Sequence, residues 1–353
     1  MMGKRVLFIC NTAYQLFTIV QLRLTEYKSD NVDIVLSNQF SNSARIVDNV
    51  KKSELFRHVL HIENRKQDFS SRIAETLHNV KILRKLRKHL GQIDEVCFSN
   101  ISVFTILFLR FYQKKAPKVC IFEDGFVTYS KAFEEMDQAT IFSKLLLPKG
   151  VLNRTSKLWL FSPELLDWQK KNIAVCKIKP VDKNDKSIVD IFNRIFGYET
   201  NVDRYDKPYL FMEESFFADG YSVDDLKIVK GIADKVGKEN LMVKLHPRNS
   251  ENRFEALGIK TNSSFAIPWE LIVLNQNFEN YTLISISSSS ILQPFLLFGM
   301  PIKCYALLGT LGQRPGNMNG TLGDYMESLF SRFPNVCICP NNLEDFYEMI
   351  RTE

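Results

Sequence analysis

Long apolar runs are missing from this sequence. No stretch of about eighteen apolar residues occurs, so no membrane-spanning helix is expected. The longest apolar patches, 103–109 and 291–298, have the length of core helices. The opening, MMGKRVLFICNTAY, enters a strand-like run at once, without the apolar core and small-residue cleavage site of a secretory signal. Histidine is scarce, at five residues, and the seven cysteines form no CxxC pair and no Cys/His set with zinc spacing. Reduced thiols inside a cytoplasmic protein are the expectation. GxxxxGK[ST], GxGxxG and HExxH are absent, and no DxD triplet follows a strand to hold a divalent ion.

What is present is a chain of 353 residues, 45% hydrophobic, with 46 basic and 40 acidic residues and a net charge of +6. That size suits two cores. The mild positive excess fits an anionic ligand or a bilayer face and is too small to indicate nucleic acid. Short apolar runs alternate with helix-like segments, which predicts an α/β fold of parallel sheets covered by helices. Strands are expected at 6–10, 32–36, 59–62, 95–98, 119–122, 209–212, 241–245, 283–287, 301–305 and 336–339. A charged stretch with little period, 162–207, reads as a connection. The division expected is therefore 1–185 and 186–353, two doubly wound Rossmann-like domains facing a central cleft. Ligands of such sheets gather beyond the carboxyl ends of the strands, so those positions carry the functional reading.

Three strand ends stand out. In TLISISSSSILQPFLLFG an apolar strand runs into Ser287, Ser288, Ser289 and Ser290, then directly into an apolar segment read as a helix over 290–298. Hydroxyls and unpaired N–H groups at a helix start suit a phosphate, although N-capping alone needs one serine. In ENLMVKLHPRNS the proline of His246-Pro247-Arg248 ends the strand and biases the histidine to an extended conformation. An imidazole there can donate to a phosphate oxygen or protonate a leaving group, and Arg248 can add charge. In VCIFEDGFVTYS a buried strand ends in Glu123-Asp124-Gly125, either a turn or a carboxylate placed as general base. FMEESFFADGYS adds Glu213, Glu214 and Asp219 after another strand, and Ser222 with Asp225 reads as a capping box. Asn11, Tyr14 and Gln15 after the first strand, with Asn38 and Asn100 after later ones, offer the hydrogen-bonding groups that suit sugar hydroxyls.

The acidic-acidic-Gly turn, His246-Pro247 and Ser287-Ser288, in that order, resemble bacterial sialyltransferases. The opening RVLFICNTAYQLFTIVQL and the KLHPR stretch look most like glycosyltransferase family 52, the lipooligosaccharide and capsule sialyltransferases. The resemblance implies a GT-B fold with the nucleotide held by the second domain. It implies CMP-N-acetylneuraminic acid as donor, inversion at the anomeric carbon, no metal or other cofactor, and a galactose-terminated acceptor, joined α-2,3. His246 would then meet the CMP phosphate together with Ser287, Ser288 and Ser289. The base is either Glu123 or Asp124, or an aspartate upstream of the His-Pro pair, for which Asp219 is the match and Asp224 and Asp225 compete. CDP-glycerol glycerophosphotransferases share the His-Pro and Ser-Ser features, but their serines usually follow an Asp, and here Ser285 stands in its place. A hexosyltransferase using a uridine nucleotide sugar is a second alternative. A lipid-linked acceptor would bring the protein to the inner membrane face, where the basic segment VKILRKLRKHL could touch anionic lipid. A homodimer is left open.

Overall fold

A computed structural model describes residues 3–37, 43–62, 72–112, 117–137, 150–198, 204–249, 251–262, 265 and 267–351. The chain divides into two compact units: Met1–Val181 with Asp190–Gly197, and Asp182–Val189 with Tyr198–Glu353.

The first unit is built on β1 (Arg5–Cys10), α1 (Ala13–Leu24), β2 (Asn31–Ser37), α2 (Ser43–Lys52), β3 (His58–Ile62), α3 (Arg72–Leu90), β4 (Glu95–Phe98), α4 (Val103–Phe111), β5 (Lys118–Phe122), α5 (Lys131–Met136), β6 (Thr155–Leu160) and β7 (Ala174–Lys177). Its seven strands run in the order β3-β2-β1-β4-β5-β6-β7, and every pairing is parallel. Helix α1 begins where the Thr12 hydroxyl accepts the Gln15 N–H at 3.1 Å. It contains Thr18, Ile19 and Val20, β-branched residues that cost a few tenths of a kcal/mol each in a helix. Leu16, Phe17, Ile19, Val20 and Leu22 are fully buried, at roughly 2 kcal/mol apiece, so packing decides the conformation.

The stretch 162–207, read from sequence as a connection, contains β7 and α6 (Lys186–Phe196). Strand β7 escaped notice because it is an edge strand, with Ala174 and Lys177 exposed and no buried run. Helix α6 places Phe192, Ile195 and Phe196 in the core of the first unit, with the Phe192 ring 4.6 Å from Phe17. Its first turn belongs to the second unit.

The second unit contains β8 (Tyr209–Met212), α7 (Asp225–Val236), β9 (Leu241–Lys244), β10 (Lys260–Thr261), α8 (Trp269–Asn275), β11 (Thr282–Ser285), α9 (Gln293–Phe298), β12 (Lys303–Ala306), α10 (Thr321–Ser331), β13 (Cys337–Ile338) and α11 (Leu343–Arg351). The order is β10-β9-β8-β11-β12-β13, again all parallel. Two doubly wound parallel sheets make this a GT-B architecture. In both sheets the order of strand connection reverses beside the first strand, between β1 and β4 and between β8 and β11, the places where such folds bind ligands.

Two local expectations change. The cap of α7 is Asp224, which accepts the Lys227 N–H, and not Ser222. The helix expected over 290–298 is a 3-10 turn at Ser289–Ile291 followed by the six-residue α9, because Pro294 cannot donate within a continuous ladder.

Candidate active site

In the second unit the central strand β8 runs into Glu213 and Glu214, and these two carboxylates organise its neighbours. Glu213 accepts the His246 N–H at 2.8 Å and the Arg253 guanidinium at 3.0 Å. Arg253 also holds Asp225, so Asp225 serves an ion pair and does not reach back to a helix cap. Glu214 is buried and accepts from the Ser285 hydroxyl at 2.7 Å, the Ser287 N–H at 2.5 Å and hydroxyl at 2.6 Å, and the Ser288 N–H at 2.8 Å. Burial raises its pKa, and the serine bonds oppose the rise. The donors on Ser287 and Ser288 are among those the sequence assigns to a phosphate. Ser287, 2% exposed, therefore faces the protein interior. Ser288, Ser289 and Ser290 are half-buried and form the accessible rim, with the hydroxyls of Ser288 and Ser290 2.7 Å apart.

Strand β9 ends at Lys244, and Asn262 replaces its ladder by accepting the Leu245 N–H at 2.6 Å. A turn follows in which the Asn249 N–H donates to the His246 carbonyl at 3.0 Å. Buried Asn249 then ties this turn to the chain after β8, donating to the Glu214 carbonyl at 2.9 Å. Within the turn the Arg248 N–H donates to Nδ1 of His246 at 3.2 Å. Nδ1 is thereby the acceptor, which leaves the proton on Nε2. Burial, then Arg248 and Lys244, push the imidazole pKa down to about 4, against the pull of Asp219. His246 is thus a neutral N–H donor near neutral pH.

Arg248 and Asp219 are brought together as a two-pronged ion pair, at 2.9 and 3.0 Å, with Ser215 donating to Asp219 at 2.7 Å. Each was assigned a separate task from sequence. Here the carboxylate and the guanidinium satisfy one another. Pro247 is exposed at the turn.

In the first unit the ends of β1, β4 and β5 carry one hydrogen-bonded network. Glu123 is 3% exposed, and its two oxygens accept from the hydroxyls of Tyr14 and Tyr129 and from the Phe161 N–H at 2.7 Å. Burial pushes its pKa up to about 7, and the three donors act against that rise. Asp124 is half-buried and accepts from the Gln15 amide at 2.7 Å. Its pKa is raised by burial and tempered by Gln15, Thr12 and Ser99. Gln15 in turn accepts the Asn11 N–H at 2.7 Å, and the Asn11 amide donates to Asn100 at 3.2 Å. Residues read separately from sequence are therefore linked: Tyr14 meets Glu123, while Asn100, Asn11 and Gln15 form a chain of hydrogen bonds that ends on Asp124. Tyr129 completes the set and had no signal beyond its place six residues after Glu123. Asn38 lies outside the described residues.

The sequence spacing gave no metal site, yet Glu95, Cys97 and Cys120 bring three possible ligand atoms within 4.8 Å of one another in the first core. This group is occupied by its own bonds: Tyr27 donates to Glu95, and the Trp159 indole donates to Tyr27 at 3.0 Å. All seven cysteines are free thiols, and five are buried. No helix among the described residues is long and apolar enough to cross a membrane.

The model of the alpha-2,8-polysialyltransferase family matches residues 6–306. The chain belongs to that family. The alpha-2,8-polysialyltransferase match spans both units, and it agrees with the sialyltransferase resemblance of the strand-end motifs. No curated protein matches the chain. Among solved structures, UDP-GlcNAc 2-epimerase from Methanocaldococcus jannaschii is similar over 99% of this chain and 92% of its own, with a TM-score of 0.56 and 13% identity. TcCGT1 in complex with UDP covers 99% and 90%, at 0.57 and 9% identity. A UDP-glucosyltransferase from Polygonum tinctorium capable of glucosylating indoxyl covers 100% and 91%, at 0.55 and 11% identity. These likenesses are of fold. With the alpha-2,8-polysialyltransferase match they make the chain a glycosyltransferase of GT-B fold.

Proposed function

We propose that the chain transfers N-acetylneuraminic acid from CMP-N-acetylneuraminic acid to a glycan, with inversion and without a metal. The observation that carries this reading is the placing of His246 and Ser288–Ser290 after β9 and β11, the two strands that flank β8. A neutral Nε2–H and serine hydroxyls are donors suited to an oxyanion that gains charge as the glycosidic bond breaks. A phosphate monoester leaving group needs such donors more than it needs the metal clamp of a diphosphate. Nothing in the chain resembles that clamp's DxD motif.

The acceptor hydroxyl must lose a proton, and we assign that proton to Asp124. Glu123 has both oxygens enclosed by tyrosines and serves to position Tyr14. Asp219 would have to break its pair with Arg248. Asp124 is half-buried, free of the tyrosines that enclose Glu123 and outside any ion pair among the described residues, which makes it the most available of the three, and its raised pKa suits a base. Tyr14, Gln15, Asn11 and Asn100 are proposed to meet the acceptor sugar.

The family's name favours an α-2,8 bond to a sialic acid end over the α-2,3 bond to galactose implied by family 52. The acceptor is proposed to be a lipid-linked capsule or lipooligosaccharide chain at the inner membrane face. Exposed Lys81, Arg84, Lys85 and Arg87 on α3 would then face anionic lipid. The test is a donor and acceptor screen without added metal. CMP-N-acetylneuraminic acid is expected to raise the melting temperature and to support transfer to sialyl-lactose. Transfer to lactose alone would restore the α-2,3 reading. A larger shift with UDP-sugars or CDP-glycerol would move the chain to the corresponding transferase class.

A further inference from the structure

We infer that Lys244 is the cation that binds the donor's phosphate. This rests on the proposed function, and it addresses a gap that the geometry opens in it. His246 is uncharged near neutral pH, and the serines are neutral donors. Positive charge for a phosphate must come from a basic side chain near the end of β9.

Arg248 and Lys244 act on His246 directly, and Arg253 shares the Glu213 carboxylate with the His246 N–H. Arg248 is spent on Asp219 through two bonds. Arg253 is spent on Glu213 and Asp225. The Lys244 ammonium has no hydrogen bond or ion pair among the described residues, although the backbone carbonyl of the same residue accepts the Glu213 N–H at 3.0 Å; Glu270 and Glu213 act on the charge only through space. It is half-buried, and burial lowers its pKa. A half-buried ammonium that no described residue pairs is available to an arriving anion.

Its position agrees. Side chains alternate along an extended segment, so Lys244 and His246 share one side while buried Leu245 takes the other. The Lys244 charge is one of the causes that depress the His246 pKa, which shows the two side chains within electrostatic reach. A phosphate oxygen accepting from Nε2 of His246 would sit in the same field. The ammonium then gains a charge-assisted bond that no protein group now supplies. The sequence hides this residue because KLHPR directs attention to the motif that follows it.

The experiment compares the native chain with Lys244→Gln by calorimetry and melting, using CMP, cytidine, UDP and inorganic pyrophosphate. The expected result is at least a tenfold loss of CMP affinity in Lys244→Gln, with cytidine binding unchanged. The free variant is expected to melt at or above the native temperature, because a half-buried, unpaired charge is removed. CMP affinity within twofold of native would overturn the role of Lys244 and leave the donor reading standing. Lys244-dependent binding of UDP or pyrophosphate without CMP binding would keep Lys244 and overturn the donor. Phosphate compounds that bind neither protein would overturn both. Should the variant fail to fold, an amine-reactive reagent applied to the native chain decides the matter. CMP is expected to slow modification of Lys244 at least severalfold, and equal labelling with and without CMP would remove the inference.

Discussion

Glu123 and His246 are both displaced from their ordinary titration, in opposite senses. Glu123 has its pKa raised from 4.5 to about 7. Its contribution to stability is complete below pH 4.5 and is lost as pH rises through 7. His246 has its pKa lowered from 6.5 to about 4. Its contribution is complete above pH 6.5 and is lost as pH falls through 4. The two slopes oppose each other across the overlapping window, so native stability is expected to vary little there. Glu123→Gln should unmask the His246 slope. Between pH 4.5 and 7 the native-minus-variant stability should fall by something on the order of 3 kcal/mol, read from urea midpoints. A flat difference would show that Glu123 titrates normally. Asp124→Asn is expected to keep the fold and lower turnover at least a hundredfold with little change in donor affinity, measured by initial rates and calorimetry. Asp219→Asn should reduce turnover far less if Asp124 is the base.

At the scale of elements, the strand ends matter more than the strands. Glu214 joins the end of β8 to the start of the serine turn through four bonds. Glu214→Ala would leave buried donors without partners, at about 1–3 kcal/mol each. A loss of roughly 4 kcal/mol is expected, seen as an earlier urea transition. Gly299 closes the short α9 at φ +64 with open space around its α-carbon. Gly299→Ala should therefore cost only the conformational penalty, about 1 kcal/mol. The buried apolar strands were legible in the sequence because runs such as VLFIC have one stable destination. Edge strand β7 was not, since half its side chains face water. The histidine, the serines and the acidic turn were legible as types at strand ends. Their pairings were not: Glu214 and Ser287 are 73 positions apart, as the bonds between them record, and no local pattern announces that bond. The same holds for Arg248 with Asp219, where two candidates for ligand contact proved to be each other's partner.

At the scale of the molecule, each unit is a doubly wound sheet, but the units do not meet at one point in the chain. Residues 190–197 leave the second segment to complete the first core. A fragment ending at residue 185 lacks Phe192, Ile195 and Phe196, all buried. It is expected to bind a hydrophobic dye and precipitate, whereas one ending at 197 should stay folded by circular dichroism. Equal behaviour of the two fragments would make the α6 contribution dispensable.

An imidazole kept uncharged by its surroundings stores a capacity for proton uptake. A doubly negative ligand arriving beside His246 would favour the imidazolium and draw hydrogen ions from the medium. Titrations near pH 6 in two buffers of unlike ionisation enthalpy should then give unlike heats, the difference counting the ions absorbed. Identical heats would mean that the ring stays neutral throughout the encounter.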